Sequence, residues 1–380
     1  MANEELSRYF REYYKKNKLG IPDMLFQREI GYIPFNGTMI RHIKFNSNND
    51  VKKFMNRAVP RHLYYSSAYY RFPDQHKMIE KEWLGAELVF DLDADHIEGA
   101  KNMTYMEILE QVKKHTRRLL NILMNDFGFN EKEIRLYFSG GRGYHVHVES
   151  DSIYTMASDA RREIGDYIRV EGLNIDELRV LDDSFFSYGL LKKLNEYISY
   201  FYSNIDDKYI HDIFGRNAGN YLKHIEKFYN GEKIRDFMIR ETGNKFRILN
   251  QRDRNDNSSI DYDRLILSKL LEDFKKSELA EIDEPVTTDI HRLIRFPMSL
   301  HGKTGLCVKP VNPDYLKDFQ PLNQAIPEIF KNREATIELT IKKFQITMNN
   351  QEYILETGIH KIPLYLAIFI AAINVGKFIN

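Results

Sequence analysis

An α/β (α+β) fold interrupted by a helical insertion is what this sequence predicts, on three observations. Between residues 88 and 148 short β-type runs alternate with one amphipathic helix: LVFDL, a helix over 103–126, IRLYF, a glycine turn SGGRG and then YHVHV. From 184 to 274 the strand signals give way to apolar stripes stepping by three and four, the period of a helix face. After Pro285 the α/β character returns through IRFPMSLHGKTGL and the alternating TIKKFQITMNNQEYIL. The expected division is therefore a core built from 1–183 and 275–380, with 184–274 inserted into it.

The part up to about residue 90 mixes a helical start with short apolar runs punctuated by Gly31, Pro34, Gly37 and Pro60. Leu88, Val89 and Phe90 read as a buried strand that runs into Asp91, Asp93 and Asp95. Alternation along a strand sends Asp91 and Asp93 to the same side. The helix over 103–126 puts Ile108, Val112, Leu119 and Ile122 on one face, and Gly128 lies just past its end. In the inserted block the stripes are Leu191, Leu194, Ile198, Phe201 and Ile205, then Tyr221, Leu222, Ile225 and Phe228 closed by Gly231, then Leu267, Leu270, Leu271 and Phe274. Such stripes predict a helical core, and the polar run over 250–261 a loop within it. A hairpin is expected around Asn349 and Asn350. The apolar run from Pro363 to Val375 falls short of the roughly 20 residues a bilayer demands, so it predicts a core helix.

A chain of 380 residues can hold two domains or one core with a large insertion. Its 55 basic and 55 acidic residues cancel, which excludes an all-over polycation but not a local nucleic-acid site. Cys307 stands alone, so an intramolecular disulfide, a multi-cysteine metal site and an iron–sulfur cluster are all excluded; it reads as a small apolar strand residue. The N-terminus lacks the apolar stretch of a signal peptide, and a soluble cytoplasmic protein is expected.

Three constellations could carry chemistry. Asp91, Asp93 and Asp95 begin like an EF-hand loop, but that loop needs glycine sixth and glutamate twelfth, where His96 and Asn102 stand. A phosphatase D-x-D-x-T pattern fails at Asp95. On this run alone there remain a hard-metal site and a solvated acidic strand end. The second constellation is YFSGGRGYHVHV, where glycines admit an anion and Ser139 and Arg142 can bind phosphate oxygens; its plain alternative is a tight hairpin. His145 and His147 share a face of the following strand, with His147 equally suited to the core. The third runs from Glu281 to Leu306, with Asp283, Glu284 and Asp289 ahead of Arg292, Arg295, His301 and Lys303. Separately each is an ordinary solvated charge; together they make an anion site with a carboxylate in reach.

In this order the three segments resemble the small catalytic subunit of archaeal and eukaryotic DNA primases, more archaeal than eukaryotic. The carriers are Asp91 and Asp93 of FDLDAD, Ser139 to His145 of the S-G-x-R-G-x-H form, and Asp283 followed by Arg295, Ser299, His301, Lys303, Thr304 and Gly305. QREIGYIPFNGTMIRHIKF also looks like the family's opening strands, which makes Glu29 and Arg41 expected site neighbours. The resemblance implies a primase catalytic core with mixed sheets. It implies two divalent ions, Mg²⁺ or Mn²⁺, held by Asp91, Asp93 and Asp283, and a triphosphate gripped by Ser139, Arg142, His145, Arg295, His301 and Lys303. It further implies synthesis of short primers from nucleoside triphosphates on single-stranded DNA, a large-subunit partner, and no membrane. The family's zinc knuckle between the first two motifs is not expected, because HIEGAKNMTYMEILEQVKKH offers only His96 and His115 and no cysteine. A repair-type primase-polymerase would use the same residues; a passive nucleic-acid-binding module and a metal-dependent phosphatase or nuclease are the remaining alternatives.

Overall fold

The computed structural model describes residues 2–97, 99–173, 189–204, 207–219, 223 and 262–379. The chain divides into two compact units, one of residues 1–120, 129–165 and 281–380, the other of 121–128 and 166–280.

Two four-stranded sheets carry the first unit. One has the order β2 (Ile40–Ile43), β1 (Ile30–Ile33), β3 (His62–Ser66), β9 (Leu293–Arg295). The other has the order β10 (Lys309–Val311), β7 (Ile134–Phe138), β8 (Tyr144–Val148), β6 (Leu88–Leu92). The five residues between β7 and β8 leave only a hairpin connection, so those two strands must be antiparallel neighbours. Helix α3 (Tyr105–Asn125) then returns the chain from β6 to β7, with β8 lying between them. Strands β6 and β7 thus run parallel without touching, the split β-α-β arrangement. Where the resemblance implies mixed sheets, every described pairing is antiparallel.

Strands β4 (Ala68–Tyr70) and β5 (Trp83–Ala86) form a small ribbon. A third sheet joins β12 (Gln351–Pro363), β11 (Glu334–Met348) and β13 (Gly376–Phe378). Its hairpin turns at Asn349 and Asn350, with φ of 54° and 60°, which is the two-residue turn that suits twisted strands and that asparagine tolerates. Helix α9 (Leu364–Ala372) is buried at every position, as a helix apolar all round must be. Helix α1 (Ala2–Lys16) buries Phe10, Tyr13 and Tyr14, and Tyr13 donates to Met298 O at 2.8 Å. Cys307 lies next to that hydroxyl in an isolated bridge to Leu300, not in a strand. Helix α2 (Asn48–Ala58) is capped by Ser47, whose hydroxyl accepts from Asp50 N–H. Helix α4 (Ser158–Arg169) begins in the first unit and ends in the second.

Between the two main sheets runs a buried polar tie. Arg28 donates to Ser66 O and Ser67 O, both at 2.9 Å, and pairs with Glu87. Glu87 in turn holds His147 Nδ1 at 2.8 Å. With each charge partnered the tie is tolerable in the interior, and it makes His147 a core residue of β8.

The second unit contains α5 (Gly189–Asn204), α6 (Asp207–Phe214) and α7 (Tyr262–Glu278). Leu194, Ile198, Leu270 and Phe274 are buried, and the Tyr197 ring meets Phe274 edge-on at 5.7 Å. Leu190 N–H bonds the Tyr167 hydroxyl, which donates to Asp126. Ile205, Tyr221, Leu222, Ile225, Phe228, Gly231 and the 250–261 loop lie outside the described residues, as do the side chains of Phe201 and Leu267. No helix among the described residues is long and apolar enough to cross a membrane.

Candidate active site

Strand β6 places Asp91 one residue from its end, paired across to His145 of β8. Leu88, Phe90 and Leu92 face the core, which leaves Asp91 on the opposite side. Asp93 follows as the cap of a 3-10 turn, one of its oxygens accepting from Ala94 N–H at 2.6 Å. The third aspartate arrives from far along the chain. Helix α8 (Glu284–Thr288) has Asp283 at its N-cap, and Asp283 N–H donates to Asp91 O at 2.9 Å. The anchor is apolar: Val286 of α8, Val89 of β6 and Ile294 of β9 form one buried cluster. Val89 and Asp91 share a strand face, so packing Val286 on Val89 carries Asp283 to Asp91.

The electrostatics record this convergence. Burial, then the charges of Asp93 and Asp283, push the Asp91 carboxyl from 3.8 to about 7, against relief from Arg295 and Arg292. Among the described residues no three His, Cys, Asp or Glu side chains already close round one point as a finished metal cage. The donor set nevertheless suits a hard divalent cation, since oxygen ligands of the required charge stand together and repel one another without it.

Beside the aspartates, the Ser139–Gly143 turn is fixed from three sides. Ser139 N–H donates to Gly143 O, and Ser139 Oγ accepts from Gly141 N–H at 3.3 Å. Tyr105 of α3 donates to Gly141 O at 2.7 Å, and Thr304 Oγ1 donates to Gly140 O. Gly140 has a φ of 79°, and a Cβ there would fall 2.7 Å from the His301 Cβ. Glycine is thus required both by the turn and by the approach of the 301–305 loop.

His301 is buried, and burial, Arg295 and His62 keep it neutral, far below the usual histidine range. Its Nδ1 accepts from Lys303 N–H, which leaves the proton on Nε2, the nitrogen nearest Gly141. His145 is likewise held neutral by burial first; its Nε2 lies 3.6 Å from Asp91 Oδ1 and its buried Nδ1 has no partner among the described residues. Arg142 is partly exposed and pairs with Asp95 at 2.7 Å. Lys303 is exposed but close enough for its charge to depress both His62 and His301.

The structure therefore gathers Asp91, Asp93 and Asp283 on one side and Ser139, His145, Arg295 and His301 next to them, with Arg142 and Lys303 at the rim. Glu29 and Arg41 pair with each other, Arg41 clasping Glu29 through two nitrogens at 2.9 and 3.2 Å with Lys81 at 3.4 Å, and Arg41 also feels the charge of Asp289 at the end of α8. Of the two histidines left in the knuckle region, His115 accepts Glu281 N–H on Nδ1, and the His96 side chain lies outside the described residues. Sequence reading missed His62, Arg61 and Tyr105. RHLYYS carries only a strand signal, and the tyrosine sits at the start of an amphipathic helix, so only the fold reveals what they touch.

Residues 90–313 match the family model for the DNA primase small subunit. The chain is 50% identical to the DNA primase small subunit PriS of Picrophilus torridus over 98% of this chain and 97% of that one. It is 36% identical to PriS of Thermoplasma volcanium, over 100% and 98%, and 36% identical to PriS of Methanococcoides burtonii, over 97% and 96%. Among solved structures, the polymerase domain of Mycobacterium tuberculosis ligase D in complex with DNA covers 83% of each chain at 12% identity and a TM-score of 0.36, too remote to bear on the reading. Near full-length identity to archaeal proteins, together with the matching segment from Phe90 onward, places this chain in the DNA primase small-subunit family, of the archaeal type.

Proposed function

We propose that the protein synthesises short primers from nucleoside triphosphates on single-stranded DNA by metal-assisted nucleotidyl transfer. The observation that carries the reading is the Asp283–Asp91 backbone bond, which unites acids 192 residues apart at the mouth of a glycine turn. Asp91, Asp93 and Asp283 would hold Mg²⁺ or Mn²⁺. A bound pair of such ions supplies charge neutralisation at the attacking hydroxyl and at the departing phosphate.

The chain's own groups do the positioning. Ser139 Oγ and the Gly140–Gly141 backbone offer a close approach to phosphate oxygens, and His301 presents its Nε2–H as a neutral donor. Arg295, Arg142 and Lys303 supply the positive charge that the departing pyrophosphate needs. Arg142 must exchange Asp95 for the triphosphate to take part. The 3′-hydroxyl of one nucleotide then attacks the α-phosphorus of the next, and pyrophosphate leaves. The relatives' designation as a small subunit supports a larger partner subunit that shares the grip on template, which fits a chain of zero net charge.

The test is incubation of the full chain with unprimed single-stranded DNA and labelled nucleotides, with and without Mg²⁺ or Mn²⁺. Template-dependent products that vanish on chelation are expected. Release of phosphate or shortening of the DNA, with no product made under either metal, would replace the reading by a hydrolase.

A further inference from the structure

Against the proposed triphosphate clamp lies a histidine that the transfer reaction does not itself call on. His62, the first residue of β3, is 5% exposed. Its Nδ1 faces two donors, Arg295 Nη1 at 2.6 Å and Gly302 N–H at 3.3 Å. A guanidinium only donates, so His62 Nδ1 carries the lone pair and the ring's proton is on Nε2. The same ring meets His301 edge to face, with centroids 5.2 Å apart. Its neighbour Arg61 donates through Nε to Gly302 O at 3.1 Å. The loop is clamped so closely that a Cβ on Gly302 would fall 2.4 Å from Arg61 Cγ and 2.7 Å from His62 Nε2. Burial first, then Arg295, Arg61 and Lys303, push His62 down to about 3, which keeps it an acceptor through the neutral range.

We propose that His62 is a positioning residue, whose Nδ1 lone pair aims Arg295 and anchors the His301–Lys303 loop so that both meet the same phosphates. The inference rests on the reading of Arg295 and His301 as triphosphate ligands. The chemistry explains the choice of an imidazole. A carboxylate in its place would also aim the guanidinium but would cancel its charge, whereas a neutral lone pair leaves the whole cation for the substrate. A lysine would offer no acceptor and would repel Arg295.

The experiment compares the wild type with His62→Asn, His62→Gln and His62→Leu, extending an annealed primer on template DNA. Asparagine puts an amide oxygen where Nδ1 stood; glutamine carries it one bond further out; leucine removes the acceptor. For His62→Leu the apparent nucleotide KM should rise about tenfold, with kcat within about threefold and template Kd unchanged. His62→Asn should stay within about threefold of wild type on every constant. If leucine lowers the melting temperature, asparagine and glutamine are compared at equal melting, and only glutamine should lose nucleotide affinity. An active wild type with a leucine variant that saturates normally, or with asparagine and glutamine equally impaired, overturns the inference alone. A wild type that extends nothing with either metal removes the proposed function as well.

Discussion

Asp91→Asn is expected to stabilise the metal-free fold and to abolish synthesis when Mg²⁺ or Mn²⁺ is supplied. Asp91 sits among Asp93 and Asp283 with its carboxyl raised from 3.8 to about 7. That difference corresponds to about 4 kcal/mol against the ionised form at 1.36 kcal/mol per pH unit. A quarter of the side chain is exposed, so water reduces the figure to about 2 kcal/mol. The sign follows from proton uptake. Below about pH 4 the carboxyl is protonated in the folded and unfolded chain alike, and wild type and variant should match. As pH rises the unfolded chain ionises freely and the folded site resists, so the wild type falls behind until pH passes about 7. Above that the gap stays constant, at a melting difference of about 2–5 °C. Thermal melts in EDTA at pH 4, 6 and 8 measure it, and a Mn²⁺ titration at pH 8 should then stabilise the wild type selectively. A variant that melts at or below the wild type at pH 8 in EDTA, or that gains as much from Mn²⁺, would refute the crowding of acids on which the metal assignment stands.

Three further outcomes follow from the same geometry. Asp93→Asn and Asp283→Asn should each keep the melting temperature within about 3 °C and lose at least about 99% of primer synthesis across a range of Mg²⁺ and Mn²⁺ concentrations. Arg142→Ala and His301→Ala should raise the nucleotide KM about tenfold while template affinity changes less than about twofold, measured by primer extension and by fluorescence anisotropy of labelled DNA. Gly140→Ala combines a φ of 79° with a Cβ 2.7 Å from that of His301, and should cost about 1–3 kcal/mol in denaturant unfolding besides impairing synthesis.

Much of the site could be read from the chain because its parts are locally encoded. Alternation in LVFDL and YHVHV placed Asp91 and His145 on their strands, and the turn between β7 and β8 is marked by its glycines. The Asn349–Asn350 hairpin and the buried run from Leu364 followed from period and turn chemistry alone. What local pattern could not carry was who meets whom. His62 contacts Arg295 and Gly302 across more than 230 residues, and nothing in RHLYYS distinguishes it from a strand end. The Asp95–Arg142 pair is hidden for the same reason: the two residues lie 47 positions apart and neither segment names the other. Glu29 and Arg41 are a third case: likeness to the family's opening strands points to them as site neighbours, while their direct ion pair shows only in the fold.

The order in which the ribosome releases this chain bears on the placement of Asp283. Asp91 and Asp93 emerge early, but their companion is 190 residues later than Asp93, after the whole second unit has been made. Closing so long a loop costs entropy, which the Val89, Val286 and Ile294 contact, the strand pairing of β9 and the Asp283–Asp91 backbone bond help to offset. A nascent or truncated chain therefore exposes two acids without the third, and strong cation capture would coincide with completion of the tertiary structure. Competence for synthesis would then report that translation has passed well beyond residue 283.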